Sequence, residues 1–426
     1  MSFAQGVSGL NAAAANLDVI GNNIANSGTV GYKTGAVQFA NVYAGSMAGL
    51  GTKVGGIFQD FTAGAIQRTT QPLDVAIVDG DGFFRLTNGS GEVRYTRNGQ
   101  FTVDKDQYIV NSAGMQLTGF PVGAKGSAVA LKVEPTYITP VASTRVDAQF
   151  NLDARSEVPT TSPFALTDSN TYNYSNSVSV YDSYGNSHEL SIFFSKTDLV
   201  PGSPPSWNVY AAADGKPLDS TGKLIPAVFP ATTPPSYTAA PGLLATMAFD
   251  TGGKLTTIPI GTTDKLTFAG LDFGNGAAPI NLEMVLTGST QFSADNEVRK
   301  MSPDGNSAGQ LTTLEIDADG FLIGKYSNQQ TKELGQIVLS SFASVNGLQN
   351  MGDNVWSETA GSGAPRTGTP GMGKSLGSLL GGAVEGSNVD LTAELINLII
   401  AQRTYQANTQ TVKTQDQVVQ ALMNLR

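Results

Sequence analysis

Gly368-Thr-Pro-Gly-Met-Gly-Lys374-Ser375 fits the phosphate-loop pattern G-x-x-x-x-G-K-[ST] letter for letter. In such a loop backbone N–H groups and a lysine cradle the phosphates of a nucleotide, which requires a buried strand before the loop and a helix opening after it. Here Ala360-Gly-Ser-Gly-Ala-Pro-Arg366 precedes it and the glycine-rich Leu376-Gly-Ser-Leu-Leu-Gly-Gly382 follows, so the match reads as a coincidence in a linker. A nucleotide-binding enzyme using Gly368–Ser375 stays as the alternative from another functional class. The acidic pairs Asp79/Asp81, Asp104/Asp106 and Asp317/Asp319 suggest calcium, but none has the full ligand set with a downstream bidentate Glu. They read as hairpin turns. His188 is the single histidine, among turn residues that enter a strand, and cysteine is absent. Disulfides, thiolate chemistry and zinc sites drawing on several Cys and His are therefore excluded. No catalytic, cofactor-binding or metal residue is assigned, and the expectation is a protein without enzymatic activity or cofactor.

Bulk composition points the same way. The 426 residues suffice for two or three cores. Charged residues make up 14% against the roughly 25% usual for globular chains. The net charge is −10 and no basic run appears, so no nucleic-acid partner is expected. No apolar run reaches the roughly 18 residues needed to cross a bilayer, so no membrane insertion is expected. The first residues, Met1-Ser-Phe-Ala-Gln-Gly, lack the basic and apolar stretches of a cleaved signal peptide.

The strongest pattern lies at the two ends. Phe3, Val7, Leu10, Ala14, Leu17, Gly21 and Ile24 alternate by four and three, as do Leu391, Leu395, Leu398, Gln402, Tyr405, Thr409, Val412, Asp416, Val419 and Met423. Both read as helices with a seam for a partner helix, the first over about 3–26 and the second from an N-cap at Asp390 to Arg426. The start of the second is apolar nearly all round, which implies burial on more than one side.

Between the ends the chain reads as β. Candidate strands include 73–78 running back through 83–86, and 92–96 with 100–103 closed by Arg97-Asn-Gly99. The resulting fold class is multidomain and mainly β, with terminal α-helices forming a coiled-coil-like inner core and nested discontinuous β domains. The expected divisions are a terminal helical domain (1–30 and 388–426), an extended linker region (31–71 and 357–387), an inner β domain (72–145 and 299–356) and an inserted outer β domain (146–298).

Asn16-Leu-Asp-Val-Ile-Gly-Asn-Asn-Ile-Ala-Asn26 with Thr29-Val-Gly-Tyr-Lys33 resembles the N-terminal signature of bacterial flagellar rod and hook proteins. Leu73-Asp-Val-Ala-Ile, Gly82-Phe-Phe84 and Tyr95-Thr-Arg-Asn-Gly-Gln-Phe101 resemble their shared β core. Val389-Asp-Leu-Thr-Ala-Glu-Leu, Ala401-Gln-Arg-Thr-Tyr-Gln-Ala-Asn408 and Thr411-Val-Lys-Thr-Gln-Asp416 resemble their C-terminal signature. Within that family the large insert favours the hook members, with a distal rod or hook–filament junction protein as the alternative. The resemblance implies a homopolymer that forms a hollow curved tube, the universal joint that transmits torque from rod to filament. It implies distal rod, hook cap, hook–filament junction and hook-length control proteins as partners, and export through the type III apparatus to the hook on the cell exterior. The expected subunit-interface residues are Phe3, Val7, Leu10, Leu17, Asn22, Asn23, Ile24, Asn26, Tyr32, Lys33, Leu391, Leu395, Leu398, Tyr405, Val412 and Val419.

Overall fold

A computed structural model of the chain describes residues 3–42, 51–124, 126–198, 205–227, 237–257, 264–371 and 376–424. Lys374 and much of the proline-rich stretch near 201–241 lie outside them. The chain forms two compact units, one of Met1–Thr136, Leu311–Lys325 and Thr331–Arg426, the other of Tyr137–Gln310 and Tyr326–Gln330.

The inserted unit is a pair of sheets. One runs in the order Tyr174–Tyr181, Ser187–Lys196, Ser206–Ala213, Ala245–Phe249, Leu255–Thr257. The other runs Lys265–Leu271, Ile280–Val285, Arg145–Asp153, Thr290–Phe292. Alternation decides what is buried: Val146, Ala148, Phe150 and Leu152 all point inward, where they meet Phe194, Trp207, Phe249, Phe268 and Met284 in one core. The unit extends beyond the 146–298 span that composition suggests, because Glu297–Pro303 pairs antiparallel with Arg145–Asp153 and belongs to the same sheet. At its limits, Tyr137 and Ile138 pair antiparallel with Gln310 and Gly309.

In the first unit a mostly antiparallel sheet orders Thr331–Ile337, Gln116–Phe120, Phe83–Thr87, Val93–Thr96 and Val355–Ser357 side by side. Phe84, Leu86, Ile109, Leu117, Leu322, Ile337 and Leu339 fill its core. Two expected hairpins pair differently. Val75–Val78 joins Ser378–Gly381 rather than the strand that follows it. Thr102–Val103 joins Ile109–Val110 around the Asp104 turn, not Val93–Thr96.

Within 31–71 and 357–387, expected as an extended linker region, several described stretches pair as strands. Gly35–Asn41 and Thr52–Gln59 form a two-stranded ribbon, and Ile66–Arg68 pairs with Ala383–Glu385. Backbone polar groups next to a packed core need partners, and these distant pairings supply them.

Candidate assembly interface

Helix α1 spans Phe3–Ala25 and helix α2 spans Leu391–Asn424. Asp390 caps α2 as expected, its carboxylate accepting from the N–H of Thr392 at 2.9 Å and of Ala393 at 3.1 Å. Asn26 closes α1 by donating its side-chain amide to the Asn22 carbonyl at 3.0 Å.

The helices pack against each other in antiparallel fashion. A Cβ added to Gly6 would lie 2.8 Å from Val412 Cγ2, one added to Gly9 would lie 2.8 Å from Asn408 Oδ1, and Asn23 Nδ2 donates to Glu394 Oε1 at 3.3 Å. The buried residues of α1 are Gly6, Ala12, Ala13, Ile20 and Asn23, with Gly9 and Asn16 half-buried between them; apart from Ala12 they run one residue out of phase with the bulky apolar series. On α2 Ala401 is buried, and Glu394, Leu398, Asn408, Thr409, Thr411, Val412 and Gln415 are half-buried. Small residues let the two backbones approach closely, so they define the contact and the large side chains flank it.

The larger residues remain in part available. Phe3 is exposed, and Val7, Leu10, Leu17 and Ile24 are half-buried. Leu391, Leu395 (46% exposed), Ile396, Ile399 and Ile400 (57%) form an apolar patch at the start of α2. Leu398 and Val412 lie on the edge shared with α1, while Tyr405 is 40% exposed. At the far end α2 outruns α1 by about ten residues, roughly 15 Å, and exposes Val418, Val419 and Met423 there. The ribbon adds Phe39, Ile57 and Phe58, also exposed.

Three expected interface residues behave differently because they are engaged inside the chain. Asn23 is buried, bonding the Gly35 backbone on both sides, Nδ2 to its O at 2.8 Å and Oδ1 from its N at 2.9 Å. Tyr32 donates its hydroxyl to Asn23 Oδ1 at 3.1 Å, and burial, followed by the nearby Glu394 charge, pushes its pKa up. Lys33 is fully buried. Its ammonium meets Glu385 Oε1 at 2.5 Å and donates to the Thr62 carbonyl at 2.7 Å. Burial pushes the Lys33 pKa down and Glu385 opposes that push. Asn22 is exposed and Asn26 half-exposed.

Sequence reasoning missed Glu385, Arg97 and Asn388. Glu385 also pairs with Arg97 NH1 at 3.4 Å. Asn388 accepts from the N–H of Thr34 at 2.8 Å and donates to the Asp60 carbonyl at 2.8 Å. Only the position of Arg97 within the recognised Tyr95–Phe101 motif offered a signal, since Asn388 lies one residue before the C-terminal signature and Glu385 carries no motif.

The phosphate-loop match lacks its scaffold among the described residues. Arg366–Gly368 is a short, largely exposed strand, and after the motif the chain enters the strand Ser378–Gly381 instead of a helix. Two of the three acidic turns are held as hairpins: Asp104 Oδ1 accepts from the N–H of Asp106 and Tyr108, and Asp317 Oδ1 from that of Phe321. Asp79/Asp81 instead links two strands that pair elsewhere, Val75–Val78 with Ser378–Gly381 and Phe83–Thr87 with Val93–Thr96. Among the described residues no group of three or more potential ligands gathers for a metal, and no helix is long and apolar enough to cross a membrane.

Four family models match the chain. They describe a flagella basal body rod protein (residues 4–33), the flagellar hook protein FlgE/F/G D1 domain (77–147), the flagellar basal body protein FlaE D2 domain (151–306) and the flagellar basal body rod FlgEFG protein C-terminal (380–425). The chain is 43% identical over 433 residues to the flagellar hook protein FlgE of Salmonella typhimurium, with all of both chains covered. It is 42% identical over 434 residues to that of Escherichia coli, again over both full lengths. It is 31% identical to that of Borreliella burgdorferi, covering 100% of this chain and 99% of the relative. Among solved structures, the Helicobacter pylori flagellar hook protein FlgE2 shares the fold at a TM-score of 0.50 and 14% identity, over 75% of this chain and 99% of that one.

Proposed function

The chain belongs to the flagellar hook protein family, and from that membership we propose that its terminal helices and ribbon are the parts that join copies into the hook. The observation that carries this reading is the split seam. Small residues of α1 and their partners on α2 bring the helices together within one chain, while Leu391, Leu395, Ile396, Ile399 and Ile400 remain exposed. Fully burying a Leu or Ile is worth roughly 1.5–3 kcal/mol, so covering the remaining half of each contributes about 1 kcal/mol per residue. Ordering a residue costs about 1–2 kcal/mol of backbone entropy. A thin Gly/Ala contact alone offsets that poorly, so the ends gain most of their order when copies dock.

The tube so formed is hollow and curved and transmits torque from rod to filament as a universal joint. Distal rod, cap, junction and length-control proteins meet it, and the type III apparatus exports its subunits. The hook reading is favoured over a distal rod or junction role because full-length relatives carry the hook name and the inserted unit matches the FlaE D2 domain over residues 151–306.

Leu395→Asp tests this. Its site is exposed, so both β units keep their near-ultraviolet circular dichroism, while electron microscopy under precipitant-driven assembly shows tubes from the parent and none from the variant. Tubes of equal yield from the variant would overturn the assignment.

A further inference from the structure

Lys33, Glu385 and Arg97 form a buried charge cluster that joins three distant stretches of the first unit: the exit of α1, the approach to α2, and the turn after Val93–Thr96. Their side chains are 0%, 1% and 3% exposed. Glu385 does most of the joining. Its Oε1 takes the Lys33 ammonium and the Gly64 N–H at 3.0 Å, its Oε2 faces Arg97, and its carbonyl accepts from the Gly31 N–H at 2.7 Å. Around the same point Asn354 Nδ2 donates to the Val30 carbonyl at 3.0 Å. Gly31, at φ +72°, comes so close to the Arg97–Asn98 backbone that an added Cβ would lie 2.6 Å from Asn98 N.

We propose that this cluster is a positioning lock, which fixes the roots of both terminal helices to one point on the β body and so sets the geometry in which the helices meet other copies. The assignment rests on the reading of the helices as the assembly interface. A hydrophobic plug would hold the same segments together with less directional demand. Charges removed from water are stable only when each finds its partner, so the cluster tolerates one arrangement of the three segments and penalises displaced ones. Both roots share one carboxylate, so a displacement of either is felt by the other. Arg97 belongs to the body: its guanidinium lies 5.5 Å from the centre of the Phe83 ring, inside the aromatic cluster of Phe83, Tyr95 and Trp356. The lock therefore has one fixed jaw and two that arrive with the chain ends.

The test compares the full-length parent with Glu385→Gln, Lys33→Met, and the triple variant Lys33→Met/Arg97→Met/Glu385→Gln, which removes all the charge. Three readouts are taken: thermal unfolding, the critical concentration for tube growth, and tube curvature by electron microscopy. Glu385→Gln strands two buried cations and is expected to raise the critical concentration about a hundredfold or more, with the unfolding of the inserted unit unchanged. The triple variant strands none and is expected to recover thermal stability, yet to give tubes of altered or heterogeneous curvature. Parent-like curvature and critical concentration in the triple variant would overturn the lock and leave the cluster as packing. Parent-like assembly of Glu385→Gln would overturn it too. If the parent itself grew no tubes, the fault would lie with the assembly reading and not with the lock.

Discussion

Three glycines of α1 permit a matched experiment on the helix pair. Gly6, Gly9 and Gly21 all lie within Phe3–Ala25, so replacing any of them by alanine gains about the same helix propensity, roughly 1 kcal/mol. They differ in what the new methyl meets. At Gly21 nothing lies within 4 Å, at Gly9 the Asn408 amide atoms lie at 2.8–3.0 Å, and at Gly6 Val412 Cγ2 lies at 2.8 Å. Overpacking a tight contact costs about 1–3 kcal/mol. The Asn408 amide swings aside more readily than a β-branched Val412, whose helical χ1 is nearly fixed. Gly21→Ala is therefore expected to lower the critical concentration for tube growth, Gly9→Ala to leave it near the parent value, and Gly6→Ala to raise it. The gap between the Gly6 and Gly21 variants corresponds to the clash alone, about 5- to 150-fold. The critical concentration is read by sedimenting tubes at several protein concentrations. Equal values for Gly6→Ala and Gly21→Ala would refute the packing register derived from Val412 and Asn408.

The same register is open to chemistry, since the chain has no cysteine to interfere. In Gly6→Cys/Val412→Cys the paired atoms already sit near disulfide distances, so mild oxidation should give an intrachain cross-link by peptide mapping, and faster than in Val7→Cys/Val412→Cys; the opposite preference would place the seam one residue on. In the inserted unit the buried Asp182 carboxylate is opposed by burial, but the Asn186, Asn275 and His188 hydrogen bonds win and hold its pKa well below the usual aspartate range. A depressed pKa contributes stability that is present above the unfolded value of about 3.9 and lost as pH falls below it. Asp182→Asn should thus lower the calorimetric midpoint at neutral pH and flatten its decline below about pH 4, and parallel declines in parent and variant would disprove the linkage.

What the sequence disclosed, and what it hid, follows from the range of the interactions. Local signals were legible: the Asp390 cap, the hairpin turn at Asp317–Gly320, and the helical spacing at both ends. The phase of the seam was not, because bulky residues such as Val7 and Leu10 dominate the pattern whereas Gly6, Gly9 and Ala13 decide how closely two backbones approach. The pairings of Val75–Val78 with Ser378–Gly381 and of Ile66–Arg68 with Ala383–Glu385 join partners about 300 residues apart, and no local propensity encodes them. The Lys33–Glu385 pair was hidden for the same reason. Lys33 sits in a recognised signature, which drew it into the subunit interface, while its partner carries no motif.

The main segment of the inserted unit enters and leaves on neighbouring antiparallel strands, Tyr137 opposite Gln310 and Ile138 opposite Gly309. A segment whose two ends lie side by side imposes almost no closure strain on its host, whatever its length. Evolution can then enlarge, trim or exchange everything beyond that doorway and leave the host unit untouched. Lineages of such proteins would be expected to diverge fastest in the inserted unit, with the host unit inherited almost unaltered.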